Sequence, residues 1–238
     1  MKTDVSLLII MVSLLLYTFA MGSEENSMEK QLTLNLRDQC IIQVAAFTAG
    51  GDIDRLKPAL NESLDAGLTV NEIKEILIQM YAYAGFPRSL NGLGAFMAVL
   101  DDRMGRGITD EIGKGASPMP VNKTSLKFGT ENQTKLIGQP VKGPLFDFAP
   151  TIDYFLKAHL FGEIFQRDVL DWRERELATI GALANIEGVS SQLQAHYGIS
   201  MNNGVTPEQL HDFITVLKEK VSAETAQNAG DVLERVLH

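Results

Sequence analysis

The chain has 238 residues, a hydrophobic content of 45%, a charged content of 21% and a formal net charge of −9. These values exclude a disordered chain, and the acid excess excludes a nucleic-acid binder, which needs a basic face to neutralise phosphates. A single cysteine, Cys40, excludes an intramolecular disulfide, a CxxC redox pair and a cysteine-based zinc site; the four histidines form no HxxxH or HxH pair, so no dedicated metal site is expected.

At the N-terminus, Lys2 precedes an apolar run from Val5 to Ala20, and Ala20-Met21-Gly22 offers small residues for a cleavage site. Residues 1–22 therefore read as a secretory signal peptide, with a periplasmic or secreted mature protein that keeps no contact with the membrane. The alternative is an uncleaved membrane anchor, for which the run is slightly short.

Residues 32–106 read as a first helical unit. Thr69-x-x-Glu72 is a capping box, and behind it Val70, Ile73, Ile76, Leu77, Met80, Tyr81 and Ala84 form a stripe of helical period. Gly67 stops the preceding helix, and Gly85-Phe86-Pro87-Arg88 opens the next. Residues 107–150, with GKGASPMP and GQPVKGP, read as a linker. Residues 151–238 read as a second helical unit. It opens with a helix over Thr151–Phe161, whose Ile152, Phe155, Leu156, His159 and Leu160 share a face, and continues through a second capping box, Thr206-x-x-Gln209.

The two units are copies. At an offset of 137 residues, the separation of Leu56 from Leu193, Gly67 meets Gly204, Thr69 meets Thr206, Asn91 meets Asn228 and Leu100 meets Leu237. One residue of slippage upstream pairs Leu36-Arg37-Asp38 with Trp172-Arg173-Glu174. No segment alternates in the manner of a strand, so the expected fold class is all-α.

The phrases FGEIFQRDVLDWRERELATIGAL, QLQAHYGISMNNGVTPEQL and GLTVNEIKEILIQMYAYAGFPRSLNG resemble the carboxymuconolactone decarboxylase family in its tandem form, over nearly all of the sequence after the leader. The resemblance implies an all-α fold of two tandem repeats and a homo-oligomer, with a trimer of six units as the natural assembly. It also implies one of two chemistries. Lactone decarboxylases of the family act on a small acidic lactone, and that reaction needs no cofactor. An alkylhydroperoxidase-type branch uses a CxxC pair one turn before a histidine. If His196 is that histidine, the cysteine positions fall on about Val189 and Gln192, and neither is a thiol. Dithiol peroxide reduction needs two sulfurs, so a thiol-dependent antioxidant activity through Cys40 is disfavoured.

His196 shares a helix face with Val189, Gln192, Leu193, Tyr197 and Ser200. From the residues alone, a histidine on such a face is ordinarily a satisfied core group; the resemblance makes it the proton donor. Glu176 is either an exposed first-turn acid favouring the helix dipole or, by resemblance, the carboxylate facing His196. Gln192 and Arg175 are candidate substrate ligands, Arg175 through a bidentate grip on a carboxylate or through a plain structural ion pair instead. His159 is either structural or part of the same site, and His211 and His238 look peripheral. The first copy has Ala59 in place of His196 but keeps Phe86 and Arg88, which the second lacks. One composite site per chain is expected, with His196 and Glu176 from the second copy and a Phe86–Arg88 wall from the first. The leading reading is a cofactor-free lyase; the alternatives are a non-catalytic small-molecule binding or assembly protein and, third, the thiol antioxidant.

Overall fold

Side-chain caps set where most of the longer helices begin. The structure, a computed structural model, describes residues 32–119 and 121–238; the leader read for residues 1–22 lies outside them. Asn35 accepts from the Asp38 amide and starts α1 (Leu36–Gly50). Asp52 caps α2 (Ile53–Asp65), and the Thr69/Glu72 box caps α3 (Val70–Ala84). Proline in the first turn opens α4 (Phe86–Gly105). The second copy repeats the series. An Asp171/Glu174 box starts α8 (Trp172–Ala184), α9 (Ser190–Asn202) follows, and the Thr206/Gln209 box starts α10 (Pro207–Val216). A π-helical turn over Leu217–Val221 then leads into α11 (Ala223–Leu237). No strand occurs among the described residues, as the absence of alternation predicts.

The two copies share one core. In α1 every residue from Cys40 to Ala49 is buried, and in α8 every residue from Arg175 to Leu183. A helix that is buried all round has lost its solvent face, which is why neither shows an amphipathic stripe. The two pack directly on each other. At Gly181 they come as close as backbones allow: a Cβ there would sit 2.8 Å from the carbonyl oxygen of Ile42.

Charges cross this contact reciprocally. Arg37 of α1 donates to Glu174 of α8 at 2.9 Å, while Arg173 of α8 grips Asp38 of α1 through two bonds of 2.8 and 3.0 Å. The repeated Arg-acid dipeptide thus pairs with its own copy across the interface. Arg37 also holds Glu72 of the α3 cap. A second reciprocity involves the sixth residues of α3 and α10. Glu75 accepts from Arg167, ahead of α8, and from Arg175 within it. Asp212 accepts from Thr33 and Leu34, ahead of α1. Each copy fastens the segment by which the other begins.

Two expectations are corrected. The segment 107–150 is not a bare linker: it contains α5 (Ser125–Ile137), capped by Thr124 and ended by Gly138 at φ 83°, then a short α6 (Pro144–Phe148). The helix read over Thr151–Phe161 is α7 (Pro150–Phe155), which passes into a π-helix over Leu156–Ile164. Bonds from i to i+5 change the residues per turn. The apolar face therefore splits: Leu160 is buried while Ile152 and Phe155 are exposed. The π-helix packs on α5 at two glycines; a Cβ on Gly129 would overlap the Lys157 carbonyl, and one on Gly162 the Ser125 carbonyl. No helix among the described residues is long and apolar enough to cross a membrane.

Burial opposes the charge on Glu75, but hydrogen bonds from Arg167 and Arg175 hold its carboxyl below the ordinary value of 4.5. A folded value below the unfolded one gives stability that is complete above pH 4.5 and lost as the pH falls through the lower folded value. The urea midpoint of the wild-type chain is expected to fall on acidification through that window. Glu75→Ala, which leaves Arg175 buried and uncompensated, should cost about 3–5 kcal/mol at neutral pH and flatten the acid limb.

Candidate functional site

The centre of the second copy lies between α8 and α9, with α3 of the first copy against it. Glu176 is the fifth residue of α8 and is wholly buried. The exposed first-turn reading is thereby overturned: α8 is buried on all sides, so its first-turn acids face protein. His196, the seventh residue of α9, places Nδ1 2.8 Å from Oε2 of Glu176. An ionised carboxylate only accepts, so the hydrogen sits on Nδ1 and Nε2 is left to exchange a proton. Nε2 takes no hydrogen bond from a described residue. The His196 side chain keeps 13% of its surface exposed, so the ring is not sealed from water.

Tyr83, near the end of α3, meets the His196 ring edge-on at 6.0 Å between centroids. Its hydroxyl is closed off from solvent and makes no hydrogen bond of ordinary geometry among the described residues, though Thr179 is near enough to act on it as a weak partner; Oε1 of Glu176 and the hydroxyl of Ser200 also lack a partner there. Burial, followed by the charge of Glu176, raises the Tyr83 phenol above its ordinary range. Sequence reading missed Tyr83 because it falls beside the apolar stripe of α3, and nothing local says that it reaches the other copy.

The remaining sequence candidates separate. Gln192 is exposed on α9, one turn before His196, and accepts from Ser191. Arg175 is fully buried, and its terminal nitrogens are taken by Gln79, Glu75 and the Arg167 carbonyl. Only its Nε lacks a described partner, so a two-nitrogen grip on a substrate is not offered. Phe86 is 61% exposed and stacks on Tyr81 at 4.3 Å. Tyr81 in turn faces His159 at 5.5 Å. His159, on the π-helix, holds Glu163 at 2.5 Å through Nδ1. Phe86 and His159 thus both contact the Tyr81 ring. Arg88 is exposed, lies beside Gly51, and makes no contact with His196 or Glu176. His211 and His238 are exposed.

The equivalent positions of the first copy hold other chemistry. The fifth residue of α1 is Cys40 and the seventh of α2 is Ala59. Cys40 is 1% exposed, and burial pushes its thiol up to about 11. A thiol that is neither accessible nor ionised cannot attack peroxide or pair with another chain. A cleft of about 490 Å³, lined by Asn185, Glu187, Glu224, Asn228, Asp231 and Arg235, lies between the α8–α9 loop and α11 and does not reach His196. Among the described residues no group of three His, Cys, Asp or Glu side chains could hold a metal ion.

A family model described as the carboxymuconolactone decarboxylase family matches residues 16–98 and 150–234, which is more than half of the chain and takes in both copies. No curated protein matches it.

Ellman's reagent is expected to leave Cys40 unlabelled in the native protein and to react with one thiol per chain only after unfolding. Rapid labelling of the folded protein would restore the thiol reading.

Proposed function

Because the chain belongs to the carboxymuconolactone decarboxylase family, we propose that it is a cofactor-free lyase that releases CO₂ from a small acidic lactone or related acid, with His196 as the proton carrier. The observation that carries this reading is the 2.8 Å contact of His196 Nδ1 with the wholly buried Glu176. It is the one imidazole–carboxylate pair that the helices bring together at the equivalent of the repeat's central position, and the first copy has nothing like it.

The chemistry follows from the pair. In a lactone conjugated to the departing carboxylate, the C–C bond breaks and its electron pair runs through the double bond to the lactone carbonyl oxygen. CO₂ leaves, and an enolate remains. Nε2 of His196, protonated from water beforehand to give the imidazolium, then delivers that proton to the enolate carbon, and the ring returns to its neutral Nδ1–H form. Glu176 fixes which nitrogen carries the exchangeable proton and stabilises the imidazolium while it lasts. Phe86, Tyr81 and His159 form an aromatic wall against which a small conjugated ring can lie; Gln192 stands at the exposed edge. Like its single-copy relatives, the chain is proposed to work as a homo-oligomer.

Small lactones, beginning with γ-carboxymuconolactone, and keto acids should be screened for CO₂ release. His196→Ala should lower turnover by about a hundred- to ten-thousand-fold with the helical content unchanged. Glu176→Gln should also lower it, by removing the fixed tautomer. Undiminished turnover in His196→Ala would reject the mechanism, and binding without turnover in the wild-type chain would make the protein a binder.

A further inference from the structure

Six buried side-chain polar atoms have no hydrogen-bond partner among the described residues. Four of them belong to Tyr83, Arg175, Glu176 and Ser200. Folded interiors leave few such atoms, and each marks a place where something other than the protein's own groups completes the set. These four are grouped. Arg175 and Glu176 are neighbours on α8, and Ser200 lies one turn beyond His196 on α9. Tyr83 meets the His196 ring and is near enough to Glu176 and Arg175 for both charges to act on its phenol.

The internal repeat supplies a comparison within the same molecule. The positions of Glu176, His196, Ser200 and Tyr83 correspond to Cys40, Ala59, Ser63 and Lys220. There, Ser63 donates to the Ala59 carbonyl at 2.6 Å and Lys220 pairs with Glu62 at 3.5 Å. None of those residues carries an orphaned polar atom. The unsatisfied set is a property of one centre and not of the architecture.

We infer that Tyr83 is a substrate-contacting residue of the His196 site, its hydroxyl donating to the substrate oxygen that gains charge as CO₂ departs. The inference rests on the lyase reading and adds a catalytic residue from the other copy. The electron pair of the breaking C–C bond comes to rest on the lactone carbonyl oxygen, which accepts from the Tyr83 O–H. The pair returns to carbon when the proton arrives from His196, and the phenol keeps its own hydrogen throughout. A phenol held above its ordinary range by burial and by Glu176 stays a donor at neutral pH. The donor is fixed before the substrate arrives, so no reorganisation is needed as the charge develops. Glu176 Oε1 and Tyr83 OH together suit a ligand with a carbonyl oxygen and an adjacent O–H or ordered water, which is the pattern of a hydroxy- or lactone-bearing acid.

The test is Tyr83→Phe, which deletes only the hydroxyl. If that hydroxyl is reserved for substrate, its loss gives up no more than a weak approach to Thr179, and the thermal midpoint should hardly change. Turnover of γ-carboxymuconolactone should fall by about a hundred- to a thousand-fold. Binding of a saturated butyrolactone carboxylate (paraconate), followed by calorimetry, should weaken about tenfold. Unchanged turnover in Tyr83→Phe, or a lowered midpoint with binding intact, would overturn the assignment while leaving the lyase reading in place. Paraconate binding that needs the hydroxyl, without turnover of any lactone by the wild-type chain, would overturn the lyase reading and keep Tyr83 as a ligand-binding group. Neither binding nor turnover in the wild-type chain would overturn both.

Discussion

The structure depends on the contact of α1 with α8. Two helices with no solvent face need partners on every side, and each makes its most extensive contact with the other; Gly181 lets them approach until a backbone carbonyl occupies the space of a side chain. The exchange of Arg37–Glu174 and Arg173–Asp38 across this contact fixes its register. A sliding of one helix along the other would strand Asp38, which is almost wholly buried, without its cation, and a buried unpaired charge costs more than the pair returns. The arrangement therefore specifies one pairing of the copies more than it adds to their stability.

That register decides what each centre contains. Glu176 lies one residue beyond Arg175, whose guanidinium is locked by Glu75 and Gln79 of the first copy. The orientation of α8 about its axis is thereby set from α3, and so is the direction in which Glu176 points. The same α3 ends in Tyr81 and Tyr83, which pack against the cluster formed by Leu136, Leu160, Phe161, Ile164, Phe165 and Ile199. The two copies thus differ at their centres, and only the second brings an acid and an imidazole together. The first copy holds Cys40 and Ala59 at the equivalent positions, and no unsatisfied polar atom there among the described residues.

The pair of α5 and the π-helix lies ahead of α8, before the stretch over which the two copies align. Its closeness, enforced by Gly129 and Gly162, presses Leu160 and Phe161 into that cluster while His159 stays at the edge beside Tyr81. A π-helix trades regular hydrogen bonding for a shifted side-chain direction. Here the shift separates His159 from the apolar face to which a regular helix would have assigned it.

The sequence by itself determined the repeat, the all-α class, the caps at Thr69 and Thr206 and the turns at Gly67 and Gly204, because each is a local preference written within a few residues. It also picked out His196 and Glu176, by their positions in phrases that match a family. It did not reveal α5, whose polar sequence buries little more than Asn132, Gln133 and Leu136, nor the π-helix, since apolar spacing alone does not say which backbone bonds form. Only the tertiary structure decided that Glu176 is buried, that Arg175 is spent on Glu75 and Gln79, that Arg88 lies beside Gly51, and that Tyr83 meets the His196 ring. Each of these depends on which group of the other copy lies opposite. Such contacts join residues far apart in the chain, and no periodicity within one helix records them.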